Sequence, residues 1–278
     1  MSPSERPAAP ESLPIAVVDN HCHLDMSRDE HPATPLVEAL AAAKAVGVDR
    51  VVQIGCDLVS AAWTVSVLDD HPEVLGGVAI HPNGAPALVD AGTLGEALDQ
   101  IERYAAHPRI RVIGETGLDY FRTGPEGVAA QHESFRRHID IAKRTGTALQ
   151  IHDRDAHDDI LRILAEEGAP DRTVLHCFSG DIHMARECVR RGYYLSFAGP
   201  VTFKNGTGLR NALSVVPTEH LLVETDAPYL TPSPHRGRSN APYLVPLTVR
   251  AMAQTLNVEL ETLCQALSDN SEAVYGPW

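Results

Sequence analysis

Short runs of β-branched and aliphatic residues alternate along the chain with longer segments whose apolar positions recur every three or four residues. The runs IAVVD (15–19), RVVQIG (50–55), VLGGVAI (74–80), RIRVIG (109–114), TALQIH (147–152), TVLHCF (173–178), YYLSF (193–197) and HLLVET (220–225) have the length and residue types of strands. Between them, LVEALAAAKAVG (36–47), VAAQHESFRRHIDIAKRTG (128–146) and DAHDDILRILAEEG (155–168) read as helices. Each ends at Gly, which takes the left-handed conformation of a helix C-terminus without strain. In the second, Phe135, Ile139 and Ala142 fall on one apolar face.

Eight such strands, each followed by a helix or a long connection, predict an α/β fold, a single (β/α)8 TIM-type barrel. An open doubly wound sheet shares the alternation but usually carries fewer strands. The stretch 242–275 is expected to add extra C-terminal helices that close the barrel. Residues 1–12, rich in Pro, Ser and Ala, are predicted to form a disordered tail, and 13–278 a single domain. The chain's 278 residues suit this, since such barrels run to about 250 residues.

Composition narrows the setting. No run approaches the roughly 18 apolar residues of a membrane span, so no membrane partner is expected. The N-terminal stretch lacks the apolar core of a secretory signal. Cys22, Cys56, Cys177, Cys188 and Cys264 form no Cys-X-X-Cys pair, which argues against a disulfide framework or a thiolate zinc module and for a reducing, cytoplasmic setting. A formal net charge of −14 argues against nonspecific coating of nucleic acid or anionic lipid. It leaves room for a nucleic-acid enzyme whose metals and a few local cations meet the phosphates.

In barrels of this class the chemistry sits at the C-terminal ends of the strands. His21 and His23 follow the first strand as His-X-His, a spacing that turns both imidazoles to one face of an extended segment. Glu115 follows the fourth strand, His152 ends the fifth, His176 ends the sixth, and Asp226 follows the eighth. Taken singly, a strand-end His is more often a hydrogen-bonded structural residue. Together, four imidazoles and two carboxylates on one rim exceed the needs of one tetrahedral zinc and fit two divalent ions, with Glu115 shared between them. His21 and His23 would clip the more buried ion. His81, in AIHPN, is placed to face substrate. His31, His132, His138, His157, His183 and His220 read as surface or packing residues, and ligation by Cys56 or Cys177 is the lesser reading.

The segments DNHCHLD (19–25), AIHPN (79–83), GETGLDYF (114–121), IHDRDA (151–156), HCFSG (176–180), ETDAPYL (224–230) and SPHRGRSNAP (233–242) resemble the TatD family of metal-dependent deoxyribonucleases, in the amidohydrolase superfamily. The resemblance spans nearly everything after the tail. It implies that His21, His23, Glu115 and Asp226 hold one ion, and Glu115, His152 and His176 the second. It also implies a Mg2+-activated 3′-to-5′ exonuclease on DNA or RNA. Zn2+, Mn2+ and Ni2+ also suit a mixed nitrogen and oxygen shell. Three departures stand out: Asn20 where Ser or Thr is frequent, Thr116 where Ile or Val is frequent, and Asp153 within IHDRDA. Asp153 is expected to add negative charge near His152.

The expected reaction is phosphodiester hydrolysis by a hydroxide held between the two ions, with Asp226 as general base and Glu115 as the shared catalytic carboxylate. Arg154, Lys204, His235 and Arg236, on strand-end or Pro-bounded loops, would hold flanking phosphates. The rival readings are an amidohydrolase or esterase of the same barrel class, for example on an aminoacyl-tRNA ester, and a non-catalytic scaffold. Nucleic acid is the expected partner, and no obligate protein partner is indicated.

Overall fold

The computed structural model describes residues 6–28 and 34–278. Eight parallel strands hydrogen-bond in chain order: β1 (Val17–Cys22), β2 (Val48–Gly55), β3 (Val74–Val78), β4 (Ile110–Asp119), β5 (Ala148–Arg154), β6 (Thr173–Leu175), β7 (Tyr194–Phe197) and β8 (Leu221–Val223). Hydrogen bonds between β1 and the β8 segment close the ring. Asn20 Nδ2 donates to the Val223 carbonyl at 2.8 Å, Asp226 N to His21 O at 3.0 Å, and His23 N to Ala227 O at 2.8 Å. The predicted TIM-type barrel is therefore the observed one.

Ten α-helices occur among the described residues: α1 (Leu36–Ala45), α2 (Leu58–Val67), α3 (Ala85–Asp90), α4 (Leu94–Ala105), α5 (Val128–Thr145), α6 (His157–Glu167), α7 (Ile182–Arg190), α8 (Thr207–Leu213), α9 (Val245–Leu256) and α10 (Leu260–Tyr275). The last two are the extra C-terminal pair. Helix α5 ends as its sequence predicts, with Gly146 at φ 66° and its N–H on the Ala142 carbonyl. On its inner face Phe135, Ile139 and Ala142 are buried. Truncating Phe135, which is fully enclosed, would cost about 3–5 kcal/mol.

Two apolar layers hold the barrel. The larger lies between sheet and helices. The smaller fills the barrel itself: Val18, Val52, Ile54, Leu75, Val112, Ala148, Val174 and Leu222 meet Val274 and Tyr275 from the end of α10. The C-terminal residues thus plug the floor. They are fastened there by Arg172 Nη1 on the Val274 carbonyl at 3.1 Å and by Trp278 Nε1 on the Glu73 carbonyl at 3.2 Å.

Residues 6–12 of the expected tail carry no helix or strand. They nonetheless touch the body, through Tyr243 Oη on the Pro7 carbonyl at 2.7 Å and Arg250 Nη2 on the Ser12 carbonyl at 3.0 Å. Residues 1–5 and His31 lie outside the described residues. No described helix is long and apolar enough to cross a membrane.

Candidate metal centre

Strand β1 delivers its two histidines to one point, since His21 Nε2 and His23 Nε2 are 3.3 Å apart. The far side of each ring faces an acceptor. His21 Nδ1 lies 2.7 Å from Gln150 Oε1, and His23 Nδ1 lies 2.9 Å from the Ile54 carbonyl. Gln150 Nε2 donates to the Asn20 carbonyl at 2.8 Å, which fixes its oxygen toward His21. Both Nδ1 atoms therefore carry the proton, and both Nε2 atoms turn a lone pair inward.

Two carboxylates close the group. Glu115 Oε2 is 3.6 Å from His21 Nε2 and 3.8 Å from His23 Nε2, while Asp226 Oδ1 is 3.9 and 3.5 Å from the same atoms. Four acceptor atoms share one nearly sealed space and bring no proton of their own. Such a set needs positive charge at its centre, and its nitrogen and oxygen donors suit a divalent ion. His21, His23 and Asp226 offer three donor atoms within 4.8 Å of one another.

The second oxygen of Glu115 faces the opposite way. Oε1 lies 2.6 Å from His152 Nδ1, 2.8 Å from His176 Nε2 and 3.5 Å from His81 Nε2. His81, Glu115 and His152 form a second group of three donors within 4.8 Å. His176 also points Nδ1 at Glu224 Oε1, 3.1 Å away, and so joins His21 and Glu224 in a third such group. Cys56 completes a fourth with His23 and Glu115, its Sγ 3.5 Å from Glu115 Oε2.

Ionisation follows from this crowding. Burial alone would raise Glu115, yet His176, His81 and His152 hold it well below the usual carboxylate range. Burial opposes charge on His176, but Glu115 and Glu224 outweigh it and lift the ring well above its ordinary value. His23 behaves likewise, burial being outweighed by Cys56 and Asp226. For His152 burial is overcome by Asp119 and Glu115, and the ring rises to about 9. His21, stacked 3.9 Å from the His176 ring, is held low by burial and by that neighbour. The pocket favours added positive charge, and protons take that place when no ion is bound.

Local backbone brings β4 and β5 together here. Gly117 pairs with His152 in the sheet at φ 137°, and a Cβ at Gly117 would sit 2.1 Å from the His152 carbonyl oxygen. Strand β4 runs past its expected end at Gly114 to Asp119. Asp119 Oδ2 then lies 3.3 Å from His152 Nε2 while accepting from Asn83 Nδ2 at 3.0 Å.

The remaining predicted residues lie around this group in different states. Arg154 is half-buried with its guanidinium 3.9 Å over the exposed ring of Phe121. Arg236 is exposed and covers Phe203 at 4.5 Å. Lys204 is exposed, and His235 is half-buried and held low by burial and Arg238. Asp153 requires a correction. Its Oδ2 accepts from His157 Nδ1 on α6 at 2.7 Å, so its charge is paired with a helix. Neighbouring strand residues face opposite sides, and Asp153 turns away from the side that His152 occupies.

Four polar partners escaped the sequence reading: Gln150, Glu224, Asp119 and Tyr275. Gln150 and Glu224 stand two residues before His152 and Asp226, so strand alternation was the available signal. Asp119 needed the true length of β4. Nothing in the sequence marked Tyr275.

A family model described as TatD related DNase matches residues 18–276. The uncharacterized metal-dependent hydrolase TatD of Mycobacterium tuberculosis is 47% identical over 266 residues, covering 94% of this chain and 98% of that protein. The uncharacterized metal-dependent hydrolase YcfH of Escherichia coli K12 is 37% identical over 255 residues, covering 91% and 93%. The crystal structure of the TatD homologue YJJV from Escherichia coli shares the fold, with a TM-score of 0.84 at 22% identity over 93% of this chain and 97% of that one. A match of this extent, on a barrel whose mouth gathers such a donor set, means that the chain belongs to the TatD family of metal-dependent hydrolases.

Proposed function

We propose that the protein hydrolyses phosphodiester bonds in nucleic acid, as a 3′-to-5′ exodeoxyribonuclease that also admits RNA. The observation that carries this reading is the division of Glu115: one oxygen faces His21 and His23, the other faces His152 and His176. In this reading His21, His23, Asp226 and Glu115 Oε2 hold one ion. Glu115 Oε1, His152 and His176 hold a second, with His81 beside them. When bound, two divalent ions, Mg2+ foremost, acidify a water and neutralise charge gathering on phosphoryl oxygens.

The chain's own groups do the rest. Asp226 bonds through its backbone N–H to His21 O, which sets its carboxylate beside the paired imidazoles. There it accepts the proton of the attacking water and returns it to the leaving oxygen. Glu224 and Gln150 hold the outer nitrogens of His176 and His21, so the rings do not turn as charge develops. Arg154 and Arg236, seated over the rings of Phe121 and Phe203, offer guanidinium donors to phosphates flanking the bond. Lys204, His235 and His81 add further contacts. All five cysteines are free thiols, as a cytoplasmic setting would keep them.

The test is hydrolysis of end-labelled single-stranded DNA with free or blocked 3′ ends, in Mg2+, Mn2+, Zn2+ or Ni2+. Stepwise shortening from free 3′ ends is expected, with none after chelation. Cleavage of aminoacyl esters or amides, with nucleic acid left whole, would overturn the reading in favour of an amidohydrolase.

A further inference from the structure

The last residue of α10 reaches the floor of the metal centre. Tyr275 is fully buried inside the barrel, and its Oη accepts a hydrogen bond from Gln150 Nε2 at 2.7 Å. Gln150 Nε2 gives its other proton to the Asn20 carbonyl, and Gln150 Oε1 faces His21 Nδ1. Burial pushes the Tyr275 hydroxyl far above its ordinary value, against the Gln150 hydrogen bond, so the oxygen stays neutral. Three buried groups on separate parts of the chain thus form one line: Tyr275, Gln150, His21.

The line has a defined logic. Were the Gln150 amide reversed, its NH2 would face His21 Nδ1 and select the other tautomer. His21 Nε2 would then carry a proton aimed at His23, Glu115 and Asp226, where a cation belongs. The Asn20 carbonyl, which can only accept, opposes that reversal, and Tyr275 Oη takes the second Nε2 proton and so holds the amide in place.

We propose that Tyr275 is a positioning residue for the metal centre: by holding the Gln150 amide it keeps the His21 lone pair directed at the bound ion. This rests on the metal assignment made above and adds to it a dependence on the C-terminal helix.

The experiment uses the metal-free full-length chain, with Mn2+ affinity by calorimetry and the visible spectrum of Co2+ as readouts. Wild-type protein that binds neither ion would defeat the metal assignment itself. If it binds, Tyr275→Phe keeps the ring and is expected to weaken Mn2+ binding roughly three- to tenfold, short of the roughly 10- to 100-fold cost of losing a direct outer partner. The Co2+ spectrum should shift with it. Val274→Ala, on the same turn, thins the same floor without touching Gln150 and should leave affinity and spectrum unchanged. In a Gln150→Leu background, Tyr275→Phe should change Mn2+ affinity no further. Wild-type affinity and spectrum in Tyr275→Phe, an equal loss in Val274→Ala, or full additivity with Gln150→Leu would each overturn the inference.

Discussion

His138 makes the barrel acid-sensitive from helix α5, without being one of the proposed metal ligands. It sits fully buried on α5, accepting from Ile80 N at Nε2 over 3.1 Å and facing the Ser134 carbonyl with Nδ1 at 2.7 Å. Burial pushes it down to about 4 from an ordinary 6.5, with the Ser134 carbonyl opposing and Arg137 assisting. A second proton would set N–H against the Ile80 N–H. Between about pH 6.5 and 4 the unfolded chain therefore takes up a proton that the folded chain refuses. Its contribution to stability is complete above pH 6.5 and is lost as pH falls toward 4, at about 1.4 kcal/mol per pH unit. Over the whole interval that is about 3 kcal/mol, a large share of a domain's roughly 5–15 kcal/mol. His138→Gln keeps an acceptor for Ile80 and removes the titration. Urea unfolding in chelator at pH 7.5 and 4.5 should show the variant losing about 2 kcal/mol less than wild type across that change. Parallel losses in the two proteins would refute the reasoning.

Other outcomes bear on the site. Asp226→Asn should keep its circular dichroism spectrum yet lose at least about 100-fold in hydrolysis, the low end for removing a general base; substantial residual turnover would remove its role. Glu115→Gln should weaken ions on both sides at once, seen as loss of all tight Mn2+ binding, because each oxygen serves a different set of imidazoles. Arg236→Ala should weaken binding of single-stranded DNA and flatten its dependence on salt by about 0.7 in the log–log slope for each phosphate no longer held. An unchanged slope would take Arg236 off the nucleic acid.

The barrel was readable because its strands are short apolar runs set apart by helices with clear Gly stops, and a parallel sheet writes that rhythm directly. Strand ends were less so. β6 stops at Leu175 and β8 at Val223, leaving His176 and Asp226 just beyond the ladder, whereas β4 continues to Asp119. The six predicted ligands converge because each comes from a strand end on the same rim. The groups that hold them were hidden for a different reason. Gln150 and Glu224 look like ordinary polar residues until the barrel's inner face is known, and Tyr275 lies 125 residues from its partner. Asp153 was misplaced by adjacency: nearness to His152 in sequence put it on the opposite face of the strand.

The seam between the ends of the sheet carries a consequence for how the donor set is assembled. His23 and Asp226 occupy their places through hydrogen bonds that join the chain's beginning to a segment more than two hundred residues later. A nascent chain displaying its paired imidazoles has nothing to complete them until the final strand arrives. Completion of the donor set and completion of the circle are one event, so no half-made barrel holds His21, His23 and Asp226 together while the chain is still being synthesised.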